Sequence, residues 1–259
     1  MKVTLIGSGN LATNLGKAII KSGHTVVQIF SRTTGNAELL ANQLNAIPTT
    51  NLDDLSDETD VFILSVKDSV LKEIVDAISL AHPNKVIVHT AGSVGIEIFE
   101  GNAMHYGVIY PMQTFSKGYE VCFNKIPVFI EYNDPVSQVL VNELAKSLSS
   151  SVVELTSQDR KYLHLAAVFS CNFVNHCYAL AAHIMESHGM TFDMLLPLID
   201  ETARKVHNIH PLKAQTGPAI RYDENIINKH LSLLTDSPDL ANIYESMSKS
   251  IHKTSIDND

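Results

Sequence analysis

Cysteine and clustered basic residues are both scarce in this sequence. The three cysteines among 259 residues show no C-x-x-C spacing, so neither a disulfide framework nor a zinc knuckle is predicted, and we expect reduced thiols in a cytoplasmic protein. The formal net charge is -9 and lysine and arginine do not cluster, which argues against nucleic acid or an anionic membrane as a partner. A small molecule is the ligand class that we expect instead.

Secretory and membrane-spanning patterns are also missing. A strand pattern begins at Lys2, where a signal peptide would carry a basic segment, and secretion is therefore not expected. The longest apolar stretch, residues 163–185, is too polar for a bilayer span, and we expect it to form a buried helix of a soluble protein. The residues that interrupt it are His164, Asn172, Asn175, His176 and His183.

The order of strand and helix patterns predicts the fold class. Up to about residue 155, β-branched runs alternate with amphipathic segments, as in a doubly wound α/β sheet. From residue 158 only helical periodicity occurs, and its first element, residues 159–188, is unusually long. We therefore predict a Rossmann sheet domain over residues 1–156 and an all-α domain over residues 157–259. The long helix also favours a homodimer.

The turn after the first strand has G-x-G-x-x-A spacing, in Gly7-Ser8-Gly9-Asn10-Leu11-Ala12. In a dinucleotide-binding turn the first glycine permits the tight bend, the second lets the backbone approach a pyrophosphate, and the alanine allows close packing of helix on strand. The N–H groups that open the following helix then face the phosphates. The alternative is a structural turn that binds nothing.

The second strand, residues 25–30, is followed by Ser31-Arg32-Thr33. Folds that select NAD usually carry an acidic residue here for the ribose 2′-hydroxyl, yet no acid occurs before Glu38. The guanidinium of Arg32, between two hydroxyl side chains, suits a 2′-phosphate and predicts NADP as the cofactor. A solvated turn residue without a ligand is the alternative.

Polar residues follow two of the central strands, at the edge where open α/β sheets bind ligands. A further loop, residues 111–116, is richer in polar and aromatic side chains than a connector requires and is a candidate for substrate contacts. The residues expected to line the cofactor site at the sheet edge are Ser65, Lys67, His89, Thr90 and Ser93.

The long helix carries a row of polar side chains. In one interpretation His164 and Asn172 face the sheet edge and donate a proton or a hydrogen bond to a substrate carbonyl or imine. In the other they are satisfied residues of a domain or subunit interface. No pair on this helix has chelating spacing, so no metal site is predicted. At 100° per residue, one arc contains His164, Val168, Cys171, Asn172, Asn175 and His176.

Several segments occur together in a recognisable order. They are GSGNLA, SRT, VFILSVKDSVL, VHTAGS, YPMQTFS, YLHLAAVFSCNFVNH and KAQTGPAIRYD. In this combination the whole chain resembles the Rossmann-like NADP oxidoreductases that carry a C-terminal helical domain of unknown function. The wider relatives of that family are pyrroline-5-carboxylate reductase, the deazaflavin-dependent NADP oxidoreductases, and the 6-phosphogluconate and β-hydroxyacid dehydrogenases.

The resemblance implies an NADP cofactor and a role for particular residues. It implies that the pyrophosphate is held by Gly7, Ser8, Gly9, Asn10 and Leu11. It implies that the adenosine phosphate is held by Ser31, Arg32 and Thr33. It implies that the nicotinamide half lies beside Ser65, Val66 and Lys67. The catalytic pocket implied by it, in which the substrate is oriented, contains Gln113, Thr114, His164 and Asn172.

The chain departs from these relatives at three positions. Val168 stands where β-hydroxyacid dehydrogenases place a catalytic lysine, which argues against their standard mechanism. Tyr110 and Tyr222 stand where the resembled family often has histidine and glycine. We expect an NADP(H)-dependent oxidoreductase that passes hydride between nicotinamide and a small carbonyl, hydroxyl or imine compound, with His164 in acid–base work. The alternative is an NADP(H)-binding sensor or scaffold without dehydrogenase activity.

Overall fold

A single eight-stranded sheet is the central element of the computed structural model, which describes residues 1–257. Its strands are β1 (Lys2–Ile6), β2 (Thr25–Phe30), β3 (Ile47–Thr49), β4 (Val61–Leu64), β5 (Val86–His89), β6 (His105–Pro111), β7 (Val128–Tyr132) and β8 (Val152–Glu154). They lie in the order β3-β2-β1-β4-β5-β6-β7-β8, and every neighbouring pair is parallel except β6 and β7. This order confirms the predicted doubly wound fold.

Helices connect the parallel strands and then form the rest of the chain. The helices of the sheet region are α1 (Asn10–Lys21), α2 (Thr34–Leu44), α3 (Asp68–Ala81) and α4 (Pro135–Leu148). The later helices are α5 (Ser157–Ala167), α6 (Val174–Ser187), α7 (Leu196–Lys205), α8 (Pro211–Ala214), α9 (Glu224–Ser232) and α10 (Pro238–Ile256). Residues 157–257 contain no strand, so the predicted all-α C-terminal region is confirmed.

The sheet is buried on both faces, which explains its continuous apolar strands. Helices α1, α2 and α4 supply Leu15, Leu40 and Leu144 to the core on one face. On the other face, Leu71 of α3 packs in a second core with Phe99. All residues of β4 are buried, because successive side chains of a covered parallel strand enter the two cores in turn. The ends of the strands, and not the faces of the sheet, are therefore left for ligands.

One continuous helix of 31 residues, Ser157–Ser187, follows the last strand and contains a π-helical segment, Val168–Phe173, between α5 and α6. Its first turn is tied to the sheet by Arg160, which is 1% exposed. Nη1 of Arg160 donates to Oε2 of Glu131 at 2.6 Å, and Nη2 donates to the carbonyl oxygen of Val94 at 2.7 Å. Because removing either partner of a buried ion pair is costly, this contact fixes the start of the helix.

The rest of this helix is exposed or half-buried, so the prediction of a buried helix is wrong for the single chain. Arg160 is its only buried residue, while Tyr162 and Leu165 are 67% and 53% exposed. Within residues 1–257 it is also the one helix long and apolar enough to cross a membrane, with a mean hydropathy of 1.3. Periodicity in a sequence reveals that a helix has an apolar face. It does not reveal whether that face is buried against the same chain or against another molecule.

The chain divides into two compact units, residues 1–172 and the part from Phe173 onward. The first unit contains the sheet, α5 and nearly all of the π-helical segment. The second contains α6 to α10. The domain boundary between Thr156 and Ser157 stays a prediction.

The second unit has little apolar interior of its own. Ile227 of α9 is the one apolar residue buried between Phe173 and residue 257. Large apolar side chains elsewhere in the unit are exposed, including Leu198 at 64% and Leu233 at 81%. A domain of this size usually has a larger apolar core.

Tyr222, one of the departures from the resembled family, lies in the loop before α9. Its φ of +49° falls in the left-handed region that favours glycine. The ring of Tyr222 stacks on His252 of α10 with a centroid distance of 4.9 Å. This contact offsets part of the cost of the backbone conformation.

Candidate functional site

A cavity of about 460 Å³ lies at the carboxyl ends of β1, β2, β4 and β5. Four sequence segments that are far apart in the chain meet in its wall, and they include every residue that the resemblance assigned to the pyrophosphate, the adenosine phosphate or the nicotinamide. The lining residues are Gly7, Ser8, Gly9, Asn10, Leu11, Phe30, Ser31, Arg32, Thr33, Asn36, Ser65, Val66, Lys67, Asp68, Val70, Ile74, Thr90 and Ala91.

Gly7 follows β1 and lies against the backbone of Ser65, which follows β4. Its φ is +122°, and a Cβ atom built on it would lie 2.3 Å from the carbonyl oxygen of Ser65. Its N–H donates to the carbonyl oxygen of Phe30 at 2.9 Å, which holds the turn against β2. Only glycine combines this backbone conformation with this approach.

Gly9 serves a different purpose, because it leaves space open. A Cβ atom on Gly9 would meet nothing within 4 Å. Gly9 is also the N-cap of α1, and no side chain caps that end of the helix. The first N–H groups of α1 therefore lack intrahelical partners and face the cavity with the positive end of the helix dipole. These features fit a pyrophosphate group.

The segment after β2 supplies hydroxyl groups and a cation to the same wall. The hydroxyls of Ser8 and Ser31 are 2.8 Å apart and hydrogen-bonded, which joins this segment to the turn after β1. Arg32 is exposed and lines the cavity. The only carboxylate in the lining, that of Asp68, accepts a hydrogen bond from the Ser93 hydroxyl at 2.6 Å. The arrangement suits an anionic ligand near Arg32.

The opposite wall is formed by the ends of β4 and β5. The Ser65 hydroxyl donates to Oγ1 of Thr90 at 3.0 Å, and the Thr90 hydroxyl donates to the carbonyl oxygen of Leu64 at 3.1 Å. Ser65, Lys67 and Thr90 line the cavity as expected. Ser93 does not line it, although it reaches the wall through its bond to Asp68.

His89 does not line the cavity, contrary to the prediction. Its side chain is fully buried and stacks on Phe99 with a centroid distance of 5.5 Å. Its Nε2 atom has no hydrogen-bond partner among residues 1–257. As the last residue of a strand covered on both faces, His89 turns its side chain into the core, and the sheet edge starts with Thr90.

The burial of His89 predicts a pH-dependent stability. Burial, followed by the charge of Arg160, lowers the pKa of His89 to about 4. The unfolded chain, with an ordinary histidine pKa of about 6.5, binds more protons than the folded chain below that pH. We expect the free energy of unfolding to fall by about 2 kcal/mol between about pH 7 and about pH 5 because of this residue.

Urea unfolding at the two pH values measures this change. A His89→Leu variant should lose less stability on acidification than the wild type, whatever its stability near neutrality. An equal loss in both proteins would show that His89 does not cause the pH dependence.

His164 lies next to the loop after β5, which forms part of the cavity wall. Its Nδ1 atom is 3.1 Å from the hydroxyl oxygen of Tyr110, which is the penultimate residue of β6. The two rings meet edge to face, with a centroid distance of 6.0 Å. A Cβ atom on Gly92, two residues after Thr90, would lie 2.6 Å from Nδ1 of His164. The sheet edge and α5 thus bring His164 close to the cavity wall.

Gln113 and Asn172 are not joined to His164 by a hydrogen bond within residues 1–257. Gln113 is exposed, and its Oε1 accepts a hydrogen bond from the N–H of Thr114 at 2.8 Å. Asn172 is exposed in the π-helical segment, where bonds run from i to i+5. The spacing of 100° per residue that placed His164 and Asn172 on one arc therefore fails here. Their catalytic roles stay predictions.

Two family models match this chain. Residues 1–110 match a Rossmann-like domain. Residues 126–251 match a domain of unknown function, DUF2520. No curated protein matches the sequence.

Solved structures are similar over almost the whole chain. A Bacteroides fragilis protein described as a "putative NADP oxidoreductase" is 49% identical, and the match covers 97% of this chain and 98% of that one with a TM-score of 0.94. A pyrroline-5-carboxylate reductase from Streptococcus pyogenes matches at 16% identity, over 98% of each chain, with a TM-score of 0.64.

An imine reductase from Myxococcus stipitatus, in complex with NADP+, matches at 16% identity, over 99% of this chain and 93% of that one, with a TM-score of 0.66. The two reductases share the fold, whereas the Bacteroides fragilis protein shares about half of its residues as well. The chain belongs to the family of that protein, the Rossmann-like proteins that carry a C-terminal DUF2520 domain.

Proposed function

We propose that the protein is an NADP(H)-dependent oxidoreductase that passes hydride between the nicotinamide and a small carbonyl, hydroxyl or imine compound. The observation that carries the proposal is the cavity in which the uncapped start of α1, the open space at Gly9 and the guanidinium of Arg32 meet. NADP(H), when bound, supplies the hydride. The residues of the chain bind NADP(H), orient the substrate and exchange a proton with the substrate.

The choice of NADP(H) over NAD(H) depends on the residues after β2. A 2′-phosphate needs a cation, and Arg32 supplies one beside the hydroxyls of Ser31 and Thr33. The name of the Bacteroides fragilis protein and the NADP+ bound to the Myxococcus stipitatus imine reductase point to the same cofactor.

The substrate side of the proposal depends on His164. Its half-buried imidazole lies beside the cavity wall and can donate a hydrogen bond or a proton to the atom that becomes more basic as hydride arrives. Gln113 and Asn172 are proposed to orient the substrate. Reductases of imines and of pyrroline-5-carboxylate share this fold, which supports an imine among the candidate substrates.

Replacing Arg32 with alanine tests the cofactor assignment. We expect the affinity for NADPH to fall by about 10- to 100-fold, because the phosphate loses charge-assisted hydrogen bonds, and the affinity for NADH to change little. Fluorescence titration with both cofactors measures the two affinities. Arg204→Ala, which removes an exposed arginine of α7, is the matched control. An unchanged NADPH/NADH ratio in Arg32→Ala would remove Arg32 from cofactor selection.

An NADP(H)-binding sensor or scaffold is the second candidate function. It is favoured by Val168, which stands where β-hydroxyacid dehydrogenases carry a catalytic lysine. A sensor would bind NADPH through the same cavity but would not oxidise it. Oxidation of bound NADPH in a single turnover therefore separates the two functions.

We also propose that a second copy of this chain covers the exposed apolar side chains of α5 to α10. The second unit buries a single apolar residue, Ile227, within the described part of the chain, which is too little for independent stability. His176 and His183 interrupt the apolar surface of α6 and suit a protein interface better than lipid. The proposed homodimer acts in the cytoplasm, with neither nucleic acid nor membrane as a partner.

Light scattering coupled to size-exclusion chromatography, in buffer without detergent, tests the homodimer. We expect twice the mass of one chain, and a lower mass at the same concentration for Leu165→Asp on α5. Leu80→Asp, at an 87% exposed position of α3, is the control and should leave the mass unchanged. A monomeric wild type, or a protein that stays in solution only with detergent, would contradict the proposal.

A further inference from the structure

We infer that Tyr110 is a positioning residue for His164: its hydroxyl donates to Nδ1, which leaves Nε2–H of the imidazole as the group that faces the substrate. The inference rests on the function proposed for His164, and it concerns a residue for which the sequence indicated no role. Under this inference, Tyr110 determines the orientation and the tautomer of the neutral His164 imidazole.

The direction of the hydrogen bond follows from the surroundings of the Tyr110 hydroxyl. Tyr110 is buried, with 9% of its surface exposed, and Nδ1 of His164 at 3.1 Å is the hydrogen-bond partner of its hydroxyl. A buried O–H group must donate to an acceptor or lose free energy. Burial also raises the pKa of Tyr110, so the hydroxyl keeps its proton. When neutral Nδ1 accepts this bond, the imidazole proton resides on Nε2.

The packing around the pair holds the ring in one place. A Cβ atom on Gly92 would lie 2.6 Å from Nδ1 and 2.8 Å from Cγ of His164, and 3.0 Å from Cζ of Tyr110. The absence of a side chain at Gly92 therefore lets both rings lie against the loop after β5. The Nδ1 edge of the imidazole faces this loop. The hydrogen bond to Tyr110 engages Nδ1 and not Nε2, so Nε2 is the nitrogen that we assign to the substrate.

The position of Gly92 connects the pair to the cofactor cavity. Thr90 and Ala91 line the cavity, and Gly92 is the next residue of the same loop. A small displacement of the His164 ring would thus change its distance from any substrate bound beside the nicotinamide. Since acid–base catalysis requires hydrogen-bond distance, the bond to Tyr110 and the space at Gly92 matter for turnover and not for cofactor affinity.

The first test is independent of any activity. Nitrogen-15 NMR of histidine-labelled protein without cofactor reports the protonation of each ring nitrogen, and His164→Gln identifies the His164 signals. At a pH where His164 is neutral, we expect a hydrogen-bonded, unprotonated Nδ1 and a protonated Nε2 in the wild type. In Tyr110→Phe the Nδ1 signal should move toward that of an imidazole without this bond. Signals that are the same in both proteins would overturn the inference.

The second test measures reduction of 2-methyl-1-pyrroline with NADPH. We expect kcat to fall by about 10-fold in Tyr110→Phe and in Gly92→Ala, with the NADPH affinity unchanged. Gly118→Ala is the matched control, because a Cβ atom there meets nothing within 4 Å. Equal kcat in Tyr110→Phe and wild type would overturn the positioning role even if the NMR signals differ. A wild type that leaves this imine and a panel of keto acids unreduced would overturn the proposed function and the role together, while the NMR result would still decide the bond.

Discussion

Replacing His164 with alanine is expected to lower kcat by about 100-fold or more, which is the usual contribution of a positioned acid–base group. The NADPH affinity should stay within about 2-fold of the wild type. His164 is not among the residues that line the cofactor cavity, and its ring contacts Tyr110 and the loop at Gly92 instead. The loss should therefore appear in the chemical step.

Steady-state kinetics and fluorescence titration of NADPH measure the two quantities separately. His183→Ala is the matched control, because it removes an exposed histidine of the same long helix from α6. If His164→Ala turns over as fast as the wild type, His164 has no part in the mechanism. If both variants lose activity equally, the loss comes from a disturbance of the long helix and not from removal of the His164 imidazole.

Replacing each of the two glycines in the turn after β1 with alanine should affect a different property, stability for Gly7 and NADPH affinity for Gly9. Gly7→Ala is expected to lower the free energy of unfolding by about 3 kcal/mol, because its φ is +122° and the added Cβ would lie 2.3 Å from the Ser65 carbonyl oxygen. Gly9→Ala should keep the stability within about 0.5 kcal/mol, since its Cβ meets no protein atom within 4 Å. It should instead lower the NADPH affinity by about 10-fold or more, because the methyl group occupies the space for the pyrophosphate.

Urea unfolding and NADPH titration of the two variants give these four values. The comparison is internally controlled, because both variants add one methyl group to the same turn. Wild-type NADPH affinity in Gly9→Ala would mean that the pyrophosphate does not approach Gly9. Wild-type stability in Gly7→Ala would mean that the approach of β1 to Ser65 is not needed.

Local patterns were sufficient to predict the sheet and the wall of the cavity. The apolar run of β4 predicts a strand covered on both faces, and the G-x-G-x-x-A spacing predicts the turn to α1. Since parallel strands bring their carboxyl ends to one edge, residues as distant as Gly7, Arg32 and Ser65 could be assigned to one site. The exceptions were His89, because a shift of one residue at a strand end moves a side chain from the edge to the core, and Ser93, which bonds to Asp68 and does not line the cavity.

Features that depend on long-range contacts could not be read from the sequence in the same way. The bond between Tyr110 and His164 joins positions 54 residues apart, and no periodicity relates them. The π-helical segment at Val168–Phe173 changes the angular spacing on which a helical arc is calculated. The exposure of Tyr162 likewise depends on what covers the helix. The sequence marked Tyr110 only as a departure from the resembled family near the end of a strand, and this did not indicate a contact with His164.

Single-turnover oxidation of protein-bound NADPH tests the proposed function most directly. The complex is formed with an excess of protein and mixed with a panel of keto acids and cyclic imines while the absorbance of the reduced nicotinamide is followed. We predict that at least one compound removes this absorbance in the wild type, and that His164→Ala slows the reaction. If the absorbance persists with every compound while NADPH stays bound, the oxidoreductase account is contradicted and the protein acts as a sensor or scaffold.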